Sequence, residues 1–155
     1  MTTTAVKPIP ERMHSLTPHL VCAGAARAID FYARAFGAVE EMRVPGPRGT
    51  LMHALLRIGD SALMLMDEPP DWCRPEAKPA SGAQLLIHLY VDDVDATVAR
   101  AAAAGATITM APADKFWGDR YAQLDDPFGH RWAVATHTRD VSPDEIRAAM
   151  GQASA

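Results

Sequence analysis

The amino-acid sequence predicts an α+β fold built from two copies of a β-α-β-β-β module. A strand-like run, an Ala-rich helix and a Gly-Ala pair follow one another at residues 18–38 and again at 87–106. His19 and His88 lie near the start of the two copies and are 69 residues apart. The two copies therefore align at almost the same offset along their length. Three strand-like runs follow each helix, which completes the module twice.

The two predicted helices share an apolar stripe at helical spacing and a glycine at the C-terminal end. Gly37 and Gly105 stand where the helices would stop, because glycine readily adopts the left-handed conformation found there. Acidic residues at the start of the second helix favour capping of free N–H groups over a metal site. These acidic residues are Asp92, Asp93 and Asp95, and the stripe of the first helix is Ala25, Ala28, Ile29, Tyr32 and Phe36.

Alternating apolar residues between turn residues predict the remaining strands. A Gly-Asp pair at 59 and 60 predicts a tight hairpin between two of them. Near the C-terminus, Ser142 as N-cap and Pro143 at the first helical position predict a short helix. The expected strands are 38–45, 50–58 and 61–67 in the first module and 106–112, 119–125 and 130–137 in the second.

The chain has 155 residues, a length that suits one domain with a substantial core. A Pro-rich stretch at 68–82 is expected to link the two modules. The expected organisation is an N-terminal extension (1–14), a single domain (15–140, with module one at 15–67 and module two at 83–140) and a C-terminal short helix and tail (141–155).

Charge and hydropathy restrict the classes of partner. The net charge is −4 and the basic residues are scattered, so there is no basic patch for a nucleic-acid backbone. No apolar run approaches the roughly 18 residues of a membrane span, and the first residues lack the apolar core of a signal peptide. Cys22 and Cys73 are interpreted as reduced thiols. We therefore expect a cytoplasmic protein that binds neither nucleic acid nor membrane.

Two motifs within this pattern resemble a known family. They are AIDFYARAFGA at 28–38 and WGDRYAQLDDPFGHRW at 117–132. With the repeated β-α-β-β-β order, they resemble the vicinal oxygen chelate superfamily of glyoxalases, bleomycin-binding proteins and dioxygenases, and more narrowly its PhnB-like branch. The resemblance covers about residues 15–140. It implies paired modules that curve a mixed sheet around a cleft, a small-molecule ligand in that cleft, and a homodimer.

The resemblance also indicates where a metal would bind, because metal-dependent members take ligands from the first and last strand of each module. The corresponding positions here are Thr17, Leu65, Leu86 and Ala133. Leucine and alanine have no donor atom, so we expect no cofactor at the usual four-ligand position. Residues two positions along a strand share its face, which leaves open a shifted divalent metal site, or an acid-base set, made of His19, His88 and Asp67.

Several polar and aromatic residues are expected to face the cleft. By alternation, Tyr121 and Gln123 share one face of the seventh strand. Trp117 either stacks on a planar ligand or anchors its loop, and His53 either lines the cleft or hydrogen-bonds within its strand. The candidate catalytic residues are His19 and His88, and the candidate ligand-binding residues are Thr17, Asp67, Trp117, Tyr121 and Gln123.

Two further segments receive structural interpretations. The DDPFGH stretch at 125–130 predicts a turn in which Asp126 closes an Asx turn and Gly129 takes a positive φ. Met52, Met64 and Met66 are interpreted as core residues, or as the lining of an adaptable apolar pocket.

Three functions stay open at the level of sequence. The first is a glyoxalase-like protein that binds a small organic molecule without the usual metal centre and carries out lyase, isomerase or transferase chemistry. The second is a non-catalytic drug- or metabolite-binding protein similar to the bleomycin-binding proteins. The third is a metalloenzyme with the shifted site.

Overall fold

The computed structural model describes residues 6–70 and 85–153. Each of the two described ranges forms one compact unit, except that residues 34–36 group with the second unit. Cys73 and most of the predicted linker at 68–82 lie outside the described residues. The first unit contains the first four strands, and the second unit contains the other four.

The first unit contains β1 (His19–Cys22), α1 (Ala25–Phe36), β2 (Val39–Pro45), a 3-10 turn (Pro47–Gly49), β3 (Leu51–Ile58) and β4 (Ser61–Asp67). Its four strands form a mixed sheet in the order β1-β4-β3-β2. Helix α1 crosses over from β1 to β2 at the far edge of the sheet, and β2, β3 and β4 follow as antiparallel neighbours. β4 therefore returns to the centre of the sheet parallel to β1.

The second unit contains β5 (Leu86–Tyr90), α2 (Val94–Ala104), β6 (Thr107–Asp114), β7 (Asp119–Asp125), β8 (Arg131–His137) and α3 (Pro143–Ala153). Its sheet has the order β5-β8-β7-β6, with β5 parallel to β8. Helix α2 contacts β6, β7 and β8. The same strand order in both units confirms the predicted α+β fold of paired modules. Among the described helices, none combines the length and the apolar character that a bilayer span requires.

The predicted ends of the helices are confirmed. Gly37 and Gly105 are the C-caps of α1 and α2, with φ of 68° and 117°. Asp93 is the N-cap of α2, and its carboxylate accepts the N–H of Ala96. At the start of α3, Ser142 and Glu145 exchange hydrogen bonds between side chain and backbone, which is a capping box.

Two expectations about individual side chains were wrong. Met52 is 62% exposed rather than a core residue. Thr17 is not part of a strand, since β1 begins only at His19, after Pro18. Proline has no N–H to donate to a sheet ladder, which accounts for the short strand. Cys22 is a buried cysteine that is not part of a disulfide.

Asp67, at the end of β4, holds the start of α1 in place. Its Oδ1 accepts the N–H groups of Gly24 and Ala25 at 3.0 and 2.9 Å. Its Oδ2 accepts the N–H of Leu51, the first residue of β3, at 2.7 Å. Gly24 is the N-cap of α1 and provides no side-chain acceptor, so a carboxylate from a distant strand takes over that role.

Thr136 makes the equivalent connection in the second unit. Its Oγ1 accepts the N–H of Val94, the first residue of α2, at 2.9 Å, and donates to the carbonyl of Val91 at 2.9 Å. Asp67 and Thr136 are 69 residues apart, as are Ala25 and Val94. The offset that relates the two histidines therefore also relates the two strand-to-helix connections, which strengthens the case for an internal repeat.

The three N–H donors lower the pKa of the Asp67 carboxyl group. Partial burial opposes the charged form, but the hydrogen bonds from Ala25, Leu51 and Gly24 together outweigh it and hold the pKa below its usual value of 3.8. A lowered pKa means that ionised Asp67 stabilises the folded chain above pH 3.8, and that this contribution is lost as the pH falls through the folded-state pKa.

We predict that Asp67→Ala lowers the free energy of unfolding by about 2 to 3 kcal/mol, because the start of α1 loses its acceptor and three N–H groups are left unpaired. Asp67→Asn keeps one oxygen acceptor, so we expect a smaller loss. Urea unfolding at neutral pH measures both. Glu68→Gln, at the exposed neighbouring position, is the matched control. An Asp67→Ala variant as stable as this control would contradict the capping role.

Candidate functional site

One face of the second sheet combines aromatic, polar and very small side chains. Strand register places His88, Ala133 and Gln123 in one row across β5, β8 and β7. Tyr90, Ala135 and Tyr121 form the next row. Trp117, in the turn before β7, packs on Tyr121 and the two alanines. We call this surface the aromatic face, defined by His88, Tyr90, Trp117, Tyr121 and Gln123.

Alanines form the floor of the aromatic face. Ala133 and Ala135 are fully buried, whereas His88 and Tyr90 are exposed and Trp117 is half-buried. Since an alanine side chain ends at Cβ, the larger neighbouring rings can lie close to the sheet. The result is a flat apolar floor with aromatic rings around it.

The aromatic rings contact one another in edge-on or tilted geometries. The rings of Trp117 and Tyr121 have centroids 5.4 Å apart at an interplanar angle of 80°. His88 lies 4.5 Å from Tyr90 and 6.0 Å from Tyr121, centroid to centroid. Gln123 Nε2 donates to the Tyr121 hydroxyl at 2.9 Å. The predicted shared face of Tyr121 and Gln123 is therefore confirmed, and the structure brings them together with His88 and Trp117.

The sequence indicates two roles for Trp117, which are stacking on a ligand and anchoring of its loop. Its edge-on contact with Tyr121 anchors it, and Phe116 packs on it at a centroid distance of 5.1 Å. Trp117 is nevertheless only half-buried. Anchoring of the loop therefore does not exclude stacking of Trp117 on a ligand.

A hydrogen-bonded chain leads from the aromatic face to the solvent. The Tyr90 hydroxyl donates to Oδ2 of Asp119, a carboxylate residue that is only 3% exposed, at 3.3 Å. Asp119 Oδ1 lies 2.8 Å from His137 Nδ1, and His137 Nε2 lies 2.8 Å from Asp140 Oδ1. The chain Tyr90–Asp119–His137–Asp140 thus holds a buried carboxylate between a tyrosine and a histidine.

The partners in this chain change two pKa values. The pKa of Tyr90 is raised, first by burial and then by the charge and hydrogen bond of Asp119. The pKa of His137 is raised above 6.5, first by its hydrogen bond with Asp140 and then by that with Asp119. This chain was not predicted from the sequence. The pairing depends on the register of β7 with β8, which sets Asp119 opposite His137.

The other predicted site residues lie in the first unit. His19 is exposed, and its ring meets that of His53 edge-on at a centroid distance of 5.5 Å. Partial burial and, secondarily, the His53 imidazole lower the pKa of His19. Thr17 is half-buried before β1, and Asp67 accepts three backbone N–H groups.

The expectation that His19 and Asp67 share a face was wrong. His19 pairs with Met64 and Cys22 pairs with Asp67, so Asp67 belongs to the opposite face of the sheet. The prediction was one residue out of register in β4, and such a slip reverses the face. By the 69-residue offset, the counterpart of Ala133 is Met64 rather than Leu65. Leu65 is fully buried.

The described residues contain no group of three or more His, Cys, Asp or Glu side chains arranged to hold a metal ion. At the usual superfamily positions, Leu86 and Ala133 provide no donor atom, and Met64 provides only a thioether. The residues present therefore do not fit the usual divalent centre of carboxylate and imidazole ligands.

The acidic turn after β7 is architectural, as predicted. Asp126 Oδ1 accepts the N–H groups of Phe128 and His130, both at 2.9 Å. Asp126 Oδ2 accepts the indole N–H of the buried Trp132 at 3.0 Å. Gly129 has a φ of 91°. The turn thus fixes where β8 begins, and each oxygen of Asp126 accepts at least one backbone or indole N–H.

This fold and site define a class of protein. Residues 12–134 match the family model of the Glyoxalase/Bleomycin resistance protein/Dioxygenase superfamily. The chain belongs to this superfamily.

Among individual proteins, Mb0911c of Mycobacterium bovis is 52% identical over 139 residues, covering 88% of this chain and 91% of its own. The crystal structure of TioX from Micromonospora sp. ML1 is similar with a TM-score of 0.62 and 31% identity, over 79% of this chain and 97% of TioX. TnmS3 from Streptomyces sp. CB03234, described as an antibiotic binding protein, gives a TM-score of 0.59 at 23% identity, over 88% of this chain and all of TnmS3.

We predict that His137 makes stability depend on pH. A pKa raised on folding means that protonated His137 stabilises the folded chain below pH 6.5, and that this contribution disappears as the pH rises through the folded-state pKa. The melting temperature of the parent chain should therefore fall as the pH is raised above 6.5.

His137→Gln should flatten this part of the pH profile, because its side chain cannot take up the proton. His14→Gln, at an exposed position before β1, is the matched control and should leave the profile unchanged. Equal slopes for His137→Gln and the parent chain would show that the Asp119–His137–Asp140 contacts do not hold the proton.

Proposed function

We propose that the aromatic face binds a planar small organic molecule and that this binding needs no metal ion at the usual superfamily position. The observation that carries the proposal is the arrangement of Trp117, Tyr121 and His88 around the alanine floor. Rings held by their edges present their faces or rims to a further ring, and such contacts are worth about 0.5 to 1.5 kcal/mol each beyond the area buried.

Polar groups on the same face indicate that the ligand carries a hydrogen-bond acceptor. The Tyr121 hydroxyl accepts a hydrogen bond from Gln123, which leaves its own O–H able to donate. A ligand with a carbonyl or ring-nitrogen acceptor at the rim of its planar system would receive this hydrogen bond. Tyr90 is a neutral side chain near pH 7, as tyrosine ordinarily is, and burial and Asp119 raise its pKa further.

A non-catalytic binding protein is the first form of this proposal. TnmS3 shows that a protein with this fold can bind an antibiotic; at 23% identity the likeness concerns the fold, and the argument for this chain comes from its own residues. Membership of the PhnB-like branch and a cytoplasmic location stay predictions.

An enzyme is the second candidate, and the Tyr90–Asp119–His137 chain favours it. A tyrosine whose hydroxyl is tied to a buried carboxylate can exchange a proton with a ligand held on the aromatic face. His88, 4.5 Å from Tyr90 between ring centroids, would then act as acid or base in glyoxalase-like lyase, isomerase or transferase chemistry. The assignment of His19 to the same role stays a prediction.

The third candidate, a divalent metal held by His19, His88 and Asp67, has less support. Both oxygens of Asp67 accept backbone N–H groups, and the side chain belongs to the sheet face opposite His19. An ion at Asp67 would have to displace the cap of α1.

We predict that a panel of planar heteroaromatic compounds bearing a carbonyl, together with glutathione conjugates, contains a ligand that raises the melting temperature and quenches Trp117 fluorescence. Trp117→Leu should weaken its binding roughly tenfold, the equivalent of about 1.4 kcal/mol, through loss of a ring contact. Tyr121→Phe should weaken binding several-fold through loss of the hydroxyl donor.

The matched control is Phe128→Leu, which removes an aromatic ring from the turn at the other end of β7. Equal affinity for Trp117→Leu and Phe128→Leu would argue against the aromatic face as the site. Chromatography of the ligand after incubation separates the two forms of the proposal: unchanged ligand supports a binding protein, and a product that disappears with His88→Gln supports an enzyme.

We also propose that the chain forms a homodimer, with the edge strand β2 in the interface. All residues of β2 are exposed, and three of them, Val39, Met42 and Val44, are apolar. An exposed apolar edge strand offers unpaired backbone groups and apolar area to another chain.

Sedimentation at micromolar concentration should therefore give a mass near twice the 16.7 kDa of one chain. Val39→Glu combined with Val44→Glu should shift the protein to monomer, because it places charge on the proposed contact. Leu85→Glu, at an equally exposed apolar position before β5, is the control. A monomeric parent chain would refute the proposal.

A further inference from the structure

The first sheet carries a second group of donor side chains that the proposed function does not use. They are two imidazoles, His19 and His53, and two thioethers, Met64 and Met66. We call them the imidazole-thioether cluster. All four belong to the first unit, so the cluster depends on no residue of the second.

Strand register places the four side chains on one face. His19 pairs with Met64, and Val21 pairs with Met66, in the parallel ladder of β1 and β4. On the other side of β4, Ala54 pairs with Leu65, so His53 stands next to Ala54 on the alternate face, which is the face of Met64 and Met66. The two thioethers thus come from the strand that lies between the two histidines.

The imidazoles lean towards each other above β4. Two strands that flank a third are roughly 10 Å apart at the backbone, yet the ring centroids of His19 and His53 are only 5.5 Å apart. Their rings are nearly perpendicular, at 85°. Their meeting point lies over the β4 residues that point to this face.

This centroid distance suits a shared ion. With metal–nitrogen bonds of about 2 Å, an ion lies roughly 3 Å from the centre of each imidazole, so two imidazoles on one ion have centroids about 5 to 6 Å apart. The observed 5.5 Å falls within that range.

The donor set selects the kind of ion. Thioether sulfur is a soft, uncharged ligand that suits copper(I), whereas magnesium, calcium and manganese prefer oxygen ligands. Imidazole binds copper as well. The cluster has no carboxylate, because Asp67 belongs to the opposite face of β4, so nothing in it would neutralise a second positive charge.

We propose that His19, His53, Met64 and Met66 bind one copper(I) ion on the open face of the first sheet. The site differs from the usual metal position of the superfamily in its ligands, in its preference for a soft monovalent ion, and in lying within one module. Met64 alone corresponds to a usual position. The half-buried Met64, Met66 and His53 leave the ion accessible from the side of the exposed His19.

The first test is a titration of the 155-residue chain with copper(I) under reducing, oxygen-free conditions, with bicinchoninate as competing chelator. Because thiols also bind copper(I), the titration uses a Cys73→Ser background. We expect one copper(I) per chain, and silver(I) as a redox-inert substitute should bind with the same stoichiometry. In the NMR spectrum, the imidazole signals of His19 and His53 should shift together with the methyl signals of Met64 and Met66.

Transfer of all copper to the chelator, or shifts confined to other residues, would refute the site. The NMR measurement uses the unaltered cluster, so it does not depend on any variant folding. Zinc(II) serves as a parallel probe and should bind at least tenfold more weakly, because of the thioether ligands. Stronger binding of zinc would overturn the assignment to copper(I).

The second test uses variants. His53→Gln, and Met64→Leu combined with Met66→Leu, should each lower copper(I) affinity at least tenfold while leaving the melting temperature of the metal-free chain within a few degrees. Met150→Leu, at an exposed position in α3, is the matched control for removal of a thioether. Unchanged affinity in both cluster variants would refute the proposal.

Discussion

The arrangement of each unit depends on one connection between the last strand of a module and the first turn of its helix. In the first unit the connection is the carboxylate of Asp67, which accepts N–H groups from Gly24, Ala25 and Leu51. In the second unit Thr136 accepts the N–H of Val94. A helix that joins two parallel strands must start at a fixed place relative to the sheet, and these side chains fix that place while satisfying N–H groups that the helix itself leaves unpaired.

Fixing the helix start also fixes which face of each strand is free for ligands. Leu65 in β4 and Trp132 in β8 point to the buried face, so Met64 and Ala133, their neighbours, point to the open face. The aromatic face and the imidazole-thioether cluster are both consequences of this alternation. Neither would exist if either strand slipped by one residue, because every side chain would then change face.

Features set by a few neighbouring residues could be predicted from the sequence. The helix ends at Gly37 and Gly105 and the Asx turn at Asp126 are local, and they were predicted correctly. The pairing of Asp119 with His137 was missed, because it depends on which residues of β7 and β8 stand opposite each other. For the same reason, Asp67 was placed on the wrong face. Register between strands comes from packing of the whole sheet, which no short motif encodes.

The repeat explains how one fold provides two different surfaces. Equivalent positions, 69 residues apart, hold His19 and His88, Met64 and Ala133, and Met66 and Ala135. Long, flexible methionines in the first module cover the sheet with thioethers, whereas alanines in the second expose a floor on which Tyr121 and Trp117 can rest. The two histidines have the same place in the backbone and different neighbours. Their chemistry is therefore decided by the side chains of β4 and β8, the strands beside them in each sheet.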